Sequence, residues 1–405
     1  MATPQTPYEA VLHAARDVTK LDSALDAEML GTALLGSVYE IAETDREAAV
    51  REFVAGFLAA TTRRRAAAAT TVRAVFAALV PDATGADRVR PGATAPAWSG
   101  QLGRVHLTGS WAYGDVYGDQ TSYLATFAYD DDTGGPEHAL VALVDHNIGI
   151  TKDIFVGGPA DLILEQVRRL CAADELTWFR EEDPTRVRGE VSRHLAVTDQ
   201  LGQLPGASSL ATDRALVGAR LAVLPAAVAS PAPADDPLPD AKRAEEIRRF
   251  LASSEAVRAG LDTVDGAELA SLHFCLGLLL DHAVTFPDAD PLRWSPTVAG
   301  LFLLDWVHRR AVLDMDDAAM LPRVLRAWAG YAARRRGLSA AAAAGTDAAI
   351  EEMVPEFVRL YATGERRSPA TAAVAQLMAE GVDPDDPAAL DAWIEANRHR
   401  LTDDD

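Results

Sequence analysis

The chain has 405 residues, of which 49% are hydrophobic and 24% charged, the balance of a folded globular protein long enough for two or three domains. A net charge of −22 gives a surface that repels nucleic-acid backbones and anionic membranes, so neither is an expected partner. No stretch reaches the ~18 apolar residues of a membrane span, and the opening MATPQTPYEAVLHAARD lacks a basic segment followed by an apolar one, so a cytoplasmic protein without a signal peptide is expected.

Residues 7–80 carry helical periodicity. Tyr8, Val11, Leu12 and Ala15 share one face, as do Leu30, Leu34, Leu35 and Val38, and then Val50, Phe53, Val54 and Phe57. Thr44-Asp45-Arg46-Glu47 has the form of a capping box with Thr44 as N-cap. Residues 81–101, rich in Pro and Gly, read as a loop.

Residues 104–156 hold the long run of strand-like pattern, with strands expected at 104–113, 120–130, 138–146 and 150–156. The short turns between them require antiparallel neighbours, a four-stranded meander. The strand 138–146 is apolar on both faces and should be covered on both sides. Gly158-Pro159 opens a helix whose inner face is Ile163, Val167, Leu170 and Cys171. Further helices are expected at 184–200 and 208–224.

Residues 225–240, with five Pro and no apolar period, read as an exposed linker. Beyond them every segment reads as helix. Ser295-Pro296 is a strong helix start, and further helices are expected at 316–336, 340–361, 368–380 and 387–399. The expected fold is α+β, a four-stranded antiparallel meander packed by helices, followed by an all-α bundle. The expected domains are 1–228 and 241–405, joined by a linker at 229–240.

Asp145, His146 and Asp153, at the end of the most apolar strand, form the sharpest chemical constellation. Carboxylates and an imidazole there could bind a divalent metal, or act as a base with its orienting partner, with His106 or Asp115 joining from the neighbouring strand. Adjacent residues on a regular strand point to opposite faces, so convergence requires the turn to begin between Asp145 and His146. The competing reading is an Asx turn with Gly149 at positive φ.

The other motifs read as structure. Asp130, Asp131 and Asp132 with Glu137 and His138 read as a solvated hairpin tip without the calcium-loop spacing. The turn GDVYGD at 114–119 lacks the phosphate-loop Lys-Ser/Thr. Trp111, Tyr113, Tyr117, Tyr123, Phe127 and Tyr129 lack the interleaved basic residues of a base-stacking platform and read as core or protein-contact aromatics. Arg63–Arg65 and Arg334–Arg336 are the basic clusters, the second suited to a helix C-terminus. His273 and His282 read as core or rim histidines. Cys171 and Cys275 lie in apolar helical patterns and read as small core residues, not a disulfide framework.

The strings YGD…YLATFAY, ALVALVDHNIGITKDIF and LRWSPTVAGLFLLDWVHRRAVLD…LPRVLRAWAGYAARRRGL resemble a group of actinobacterial proteins in which a mixed sheet domain precedes a helical one. The resemblance covers most of the chain from about residue 104 and implies a bacterial cytosolic origin and a two-part architecture. It carries over no catalytic residue. The use of three Lys only (Lys20, Lys152, Lys242) among many Arg, with abundant Ala, fits a GC-rich bacterial genome. Two functions follow. The first is a non-catalytic regulatory or protein-interaction protein without a cofactor, its partner another protein and homo-oligomerisation left open. The second is a metal-dependent hydrolase using Asp145, His146 and Asp153 with a divalent metal ion.

Overall fold

The computed structural model describes residues 6–90, 92, 94–205, 208–226, 238–286, 289–382 and 386–401. Most of the expected linker, residues 227–237, lies outside the described residues. The chain divides into two compact units, Met1–Asp115 with Gln120–Pro231, and Val116–Asp119 with Ala232–Asp405. None of the described helices is long and apolar enough to cross a membrane.

The first unit opens with helices α1 (Pro7–Ala14), α2 (Ala24–Ile41), α3 (Arg46–Thr61) and α4 (Ala67–Leu79). The start of α3 is one residue later than expected. Asp45, not Thr44, is its N-cap, in the left-handed region with φ 43°, and its carboxylate accepts from the Ala48 amide. A short Asx acceptor meets an N3 amide as well as a Thr hydroxyl does, so the sequence could not choose between neighbours.

One antiparallel sheet follows: β1 (Val105–Asp115), β2 (Gln120–Tyr129), β3 (His138–Asp145), β4 (Ile150–Gly157) and β5 (Thr177–Glu181), in the order β4-β3-β2-β1-β5. The first four strands stand where the alternation placed them. The sheet has a fifth, β5, which pairs with the outer edge of β1 from Trp111↔Glu181 to Asp115↔Thr177. Five residues of mixed polarity at an edge give too short an alternation to announce a strand.

Helices α5 (Ala160–Ala173), α6 (Pro184–Thr198) and α7 (Ser208–Val223) complete the unit. The main core joins α2, α3, α4, α6 and α7 to one sheet face, where Tyr123, Phe127 and Tyr129 point inward. The opposite face, with Trp111 and Tyr113, packs under α5 through Leu124, Val141 and Ile163. β3 is therefore covered on both sides, and the aromatics divide between two cores instead of forming one platform. Leu170, expected on the inner face of α5, is 63% exposed; the apolar contact of α5 with the sheet runs through Ala160, Ile163 and Leu164. The free edge of β4 is closed by side chains. Thr198 accepts from the Thr151 amide and donates to its carbonyl, both at 3.0 Å, and Asp213 accepts from the Val156 amide at 3.0 Å.

A charged web is sealed in this core. Arg220 on α7 donates to Glu28 on α2 and, at 2.8 Å, to the Tyr129 hydroxyl, while its Nε donates to His138 Nε2 at 2.9 Å. Burial, then the Arg220 charge, pushes His138 down to about 4, so it is neutral and accepts this bond. His138 is thus a core residue and not part of a solvated hairpin tip.

The described residues from 238 to 401 form helices and their connections. They are α8 (Asp240–Leu251), α9 (Ser254–Arg258), α10 (Gly266–Ala283), α11 (Pro296–Leu301), α12 (Val307–Arg310), α13 (Met315–Arg336), α14 (Ala340–Thr363), α15 (Pro369–Ala379) and α16 (Pro387–Leu401). A π-helical turn, Phe302–Trp306, joins α11 to α12. Ser295 caps α11 by accepting from the Val298 amide at 2.9 Å, with Pro296 at the first turn, as its sequence predicts. Gly337 ends α13 at φ 71°. Arg334 forms a double hydrogen bond with Glu255, both contacts 3.0 Å, and Arg335 reaches Glu246 at 3.2 Å, so this basic cluster braces helices. Cys275 is buried and Cys171 half-buried, both as free thiols.

Candidate functional site

The strand end at Asp145 is chemically rich, and each of its groups has its own partner. Asp145 Oδ1 accepts from the Asn147 amide at 3.0 Å, and the Asp145 carbonyl accepts from Gly149, whose φ is 70°. That is an Asx turn. Asp145 Oδ2 meets Gln120 Nε2 at 3.2 Å and lies 3.6 Å from Lys152 Nζ. Lys152 reaches it because a register shift between Leu143↔Asp153 and Val144↔Thr151 leaves Lys152 as the extra, bulged residue.

His146 turns away to Thr121, with Nε2 and Oγ1 3.1 Å apart, and lies edge-on to His194. Asp153 accepts from the Ser209 hydroxyl on α7. His106 lies 3.8 Å from Asp130, and Asp115 accepts from the Gln120 amide at 2.7 Å. Among the described residues no three His, Cys, Asp or Glu side chains gather in a way that could hold a metal ion.

The helical unit carries an open apolar groove of about 760 Å³ between α10, the end of α12 and α15. Phe274 and Leu278 form one wall, Val374 and Met378 the other. Phe274 is 40% exposed, Val374 43% and Met378 51%, large apolar groups held facing water. The α15 wall is positioned by its own start. Ser368 caps α15 by accepting from the Thr371 amide at 3.1 Å, and both hydroxyls donate to the Arg309 carbonyl, at 2.9 and 2.5 Å.

The ionised side chains that line the groove itself are Arg309 and Arg310. Arg309 Nε donates to Asp305 at 2.8 Å, a carboxylate that Arg366 also approaches at 3.5 Å. Arg310 has no side-chain partner among the described residues. On a chain of net charge −22 this is a local inversion of sign around an apolar channel. The hydroxyls in its lining, Ser368 and Thr371, are both held by the Arg309 carbonyl.

None of these groove residues stands out by chemistry, which is why motif reading passes over them. One signal was available: 274–280, FCLGLLL, is apolar around the whole helix circumference. Such a segment must be covered on every side or leave an apolar face open.

No protein-family model, curated protein or solved structure matches the chain.

Proposed function

We propose that this chain is a non-catalytic protein-interaction protein whose helical unit docks an acidic amphipathic helix of another protein. The observation that carries the reading is the groove of Phe274, Leu278, Val374 and Met378, rimmed by Arg309 and by Arg310, which has no side-chain partner among the described residues. Exposed apolar walls supply the affinity of helix-in-groove recognition, and a positive rim selects an acidic partner and orients it. In the same reading β1–β4 are the sheet proper with β5 an edge addition, residues 238–401 act as a helical bundle, and the protein is bacterial and cytoplasmic. Composition and the actinobacterial resemblance support that origin. The metal-dependent hydrolase reading of Asp145, His146 and Asp153 is the weaker proposal, because each of these groups already has a partner.

The test is fluorescence anisotropy with a labelled helical peptide bearing Leu anchors at i, i+4 and i+7 flanked by Glu. Wild-type protein is expected to bind it saturably. Met378→Glu and Phe274→Glu, which place a carboxylate on either wall, should each weaken binding by about tenfold or more while the far-ultraviolet spectrum is unchanged. No saturable binding, or binding indifferent to both substitutions, would overturn the proposal.

A further inference from the structure

A second cavity lies in the first unit, among α2, α3, the end of α4 and α7. Leu35 and Tyr39 on α2, Val50 on α3 and Leu79 on α4 wall its apolar lobe, which holds about 290 Å³. Close-packed interiors rarely leave so large a gap, and an apolar cavity of ~150 Å³ already takes up benzene. The remaining wall is one face of α7, where Ala211, Ala215, Gly218, Ala219 and Ala222 follow one another at helical spacing. None of these side chains is large enough to fill the space. A Cβ on Gly36 would lie 2.7 Å from the Ala211 carbonyl oxygen, so α2 and α7 touch there, and the cavity runs beside that close approach. A smaller lobe of about 200 Å³ shares Arg214 and Gly218 with the first and continues to Arg188 and Asp199.

The charges lining the two lobes cancel: Glu47, Asp82 and Asp199 stand against Arg51, Arg188 and Arg214. Most are committed to one another. Arg51 donates to Asp82 at 3.0 Å. Asp199, its side chain 3% exposed, accepts from the Tyr39 hydroxyl at 2.5 Å and from Arg214 at 3.1 and 2.7 Å. Arg214 also lies 3.5 Å from Glu47, and Arg188 donates to the Leu224 carbonyl at 2.6 Å. Burial, then the Asp199 charge, pushes the Tyr39 hydroxyl up, so Tyr39 adds no charge to the wall.

An ion entering such a lining gives up its water and meets no net charge of opposite sign, whereas a hydrocarbon gains by the same transfer. We infer that this cavity binds a small uncharged molecule with a hydrocarbon body, seated against the alanine face of α7 with Leu35, Val50 and Leu79 around it. A volume near the lower limit of ordinary small-molecule sites restricts it to compact ligands.

The experiment is isothermal titration of the full chain with octanol, octanoate and octylammonium at fixed ionic strength, three probes with one hydrocarbon body and different charge. Octanol is expected to bind at one site, and both ions at least tenfold more weakly. Ala219→Leu, which fills the apolar lobe, should leave no saturable octanol binding, with Ala215→Leu as a second blocking variant should the first not fold. An ion that binds as tightly as octanol, octanol binding unaffected by a folded leucine variant, or no saturable octanol binding up to its solubility limit would each overturn the inference. The groove of the helical unit is unchanged in these variants, so either reading can fail alone.

Discussion

In the first unit, Arg220 is 1% exposed and held by side chains, with Glu28, Tyr129 and His138 each taking one of its donors. In the helical unit, His282 is 2% exposed and ringed by Phe286, Trp294, Phe302 and Trp306 at 5.0–5.8 Å between ring centres. Its Nδ1 and the neighbouring Trp306 Nε1 have no hydrogen-bond partner among the described residues. One core fixes its packing through directional charged contacts, and the other through aromatic shape. The difference teaches where substitution is costly. A charged web fails when one member is removed, whereas an aromatic nest accepts another ring.

The largest effect is therefore expected from Glu28→Gln, which leaves the Arg220 charge buried without its counter-ion. Urea unfolding followed by circular dichroism should show a loss of about 3–5 kcal/mol. His282→Phe, the matching change in the helical unit, should shift stability by about 1 kcal/mol or less. A large loss for His282→Phe with little for Glu28→Gln would reverse the comparison.

Ser295→Ala removes the cap of α11, where the aromatic nest begins, and should cost about 1 kcal/mol. The helical unit's dependence on pH sharpens the contrast further. Burial, then the nearby Arg293 charge, pushes His282 down to about 4. The folded state thus excludes a proton that the unfolded chain binds near the ordinary histidine value of about 6.5. This contribution is complete above that value and is lost as pH falls toward 4. His282→Phe should make the fall of the melting temperature across that window less steep, the remainder belonging to the other buried histidines, His138 foremost.

Glu255 shows the opposite kind of group on the same unit. Its hydrogen bonds from Arg334, against a smaller opposing effect of burial, hold it down to about 2. Its contribution is present above the ordinary carboxylate range and is lost as pH falls from there toward 2. Glu255→Gln should flatten that lower window and leave the histidine window intact. The smallest expected effect is at the Asp145 strand end. Adding Mg²⁺, Mn²⁺, Ca²⁺ or Zn²⁺ to chelator-treated protein should leave the melting temperature unchanged. A metal-specific rise that disappears in His146→Ala would restore the hydrolase reading.

The strands, most helices and the Ser295 cap were legible because each depends on local period or on a cap residue beside its amide. What was hidden depends on distant segments. The fifth strand exists because β1 offers an open edge to five residues with little alternation of their own. His138 looked like part of an acidic tip, but it is buried because Arg220, 82 positions later, reaches it. The candidate residues at 145–153 were visible as chemistry. Their partners, Gln120, Thr121 and Ser209, were not, and those partners decide what the groups can do. The groove is the converse case. Its residues are ordinary hydrophobes, and its meaning lies in their being left open beside Arg310.

The most direct test of the docking account exchanges charge across that rim. The acidic Leu-anchored peptide and a partner peptide with Lys in place of each Glu are titrated against wild-type protein and Arg310→Glu. The account predicts that wild type prefers the acidic peptide and that Arg310→Glu weakens it while improving the basic one. Equal affinity of both peptides for wild type, or no change of preference in Arg310→Glu, would contradict it.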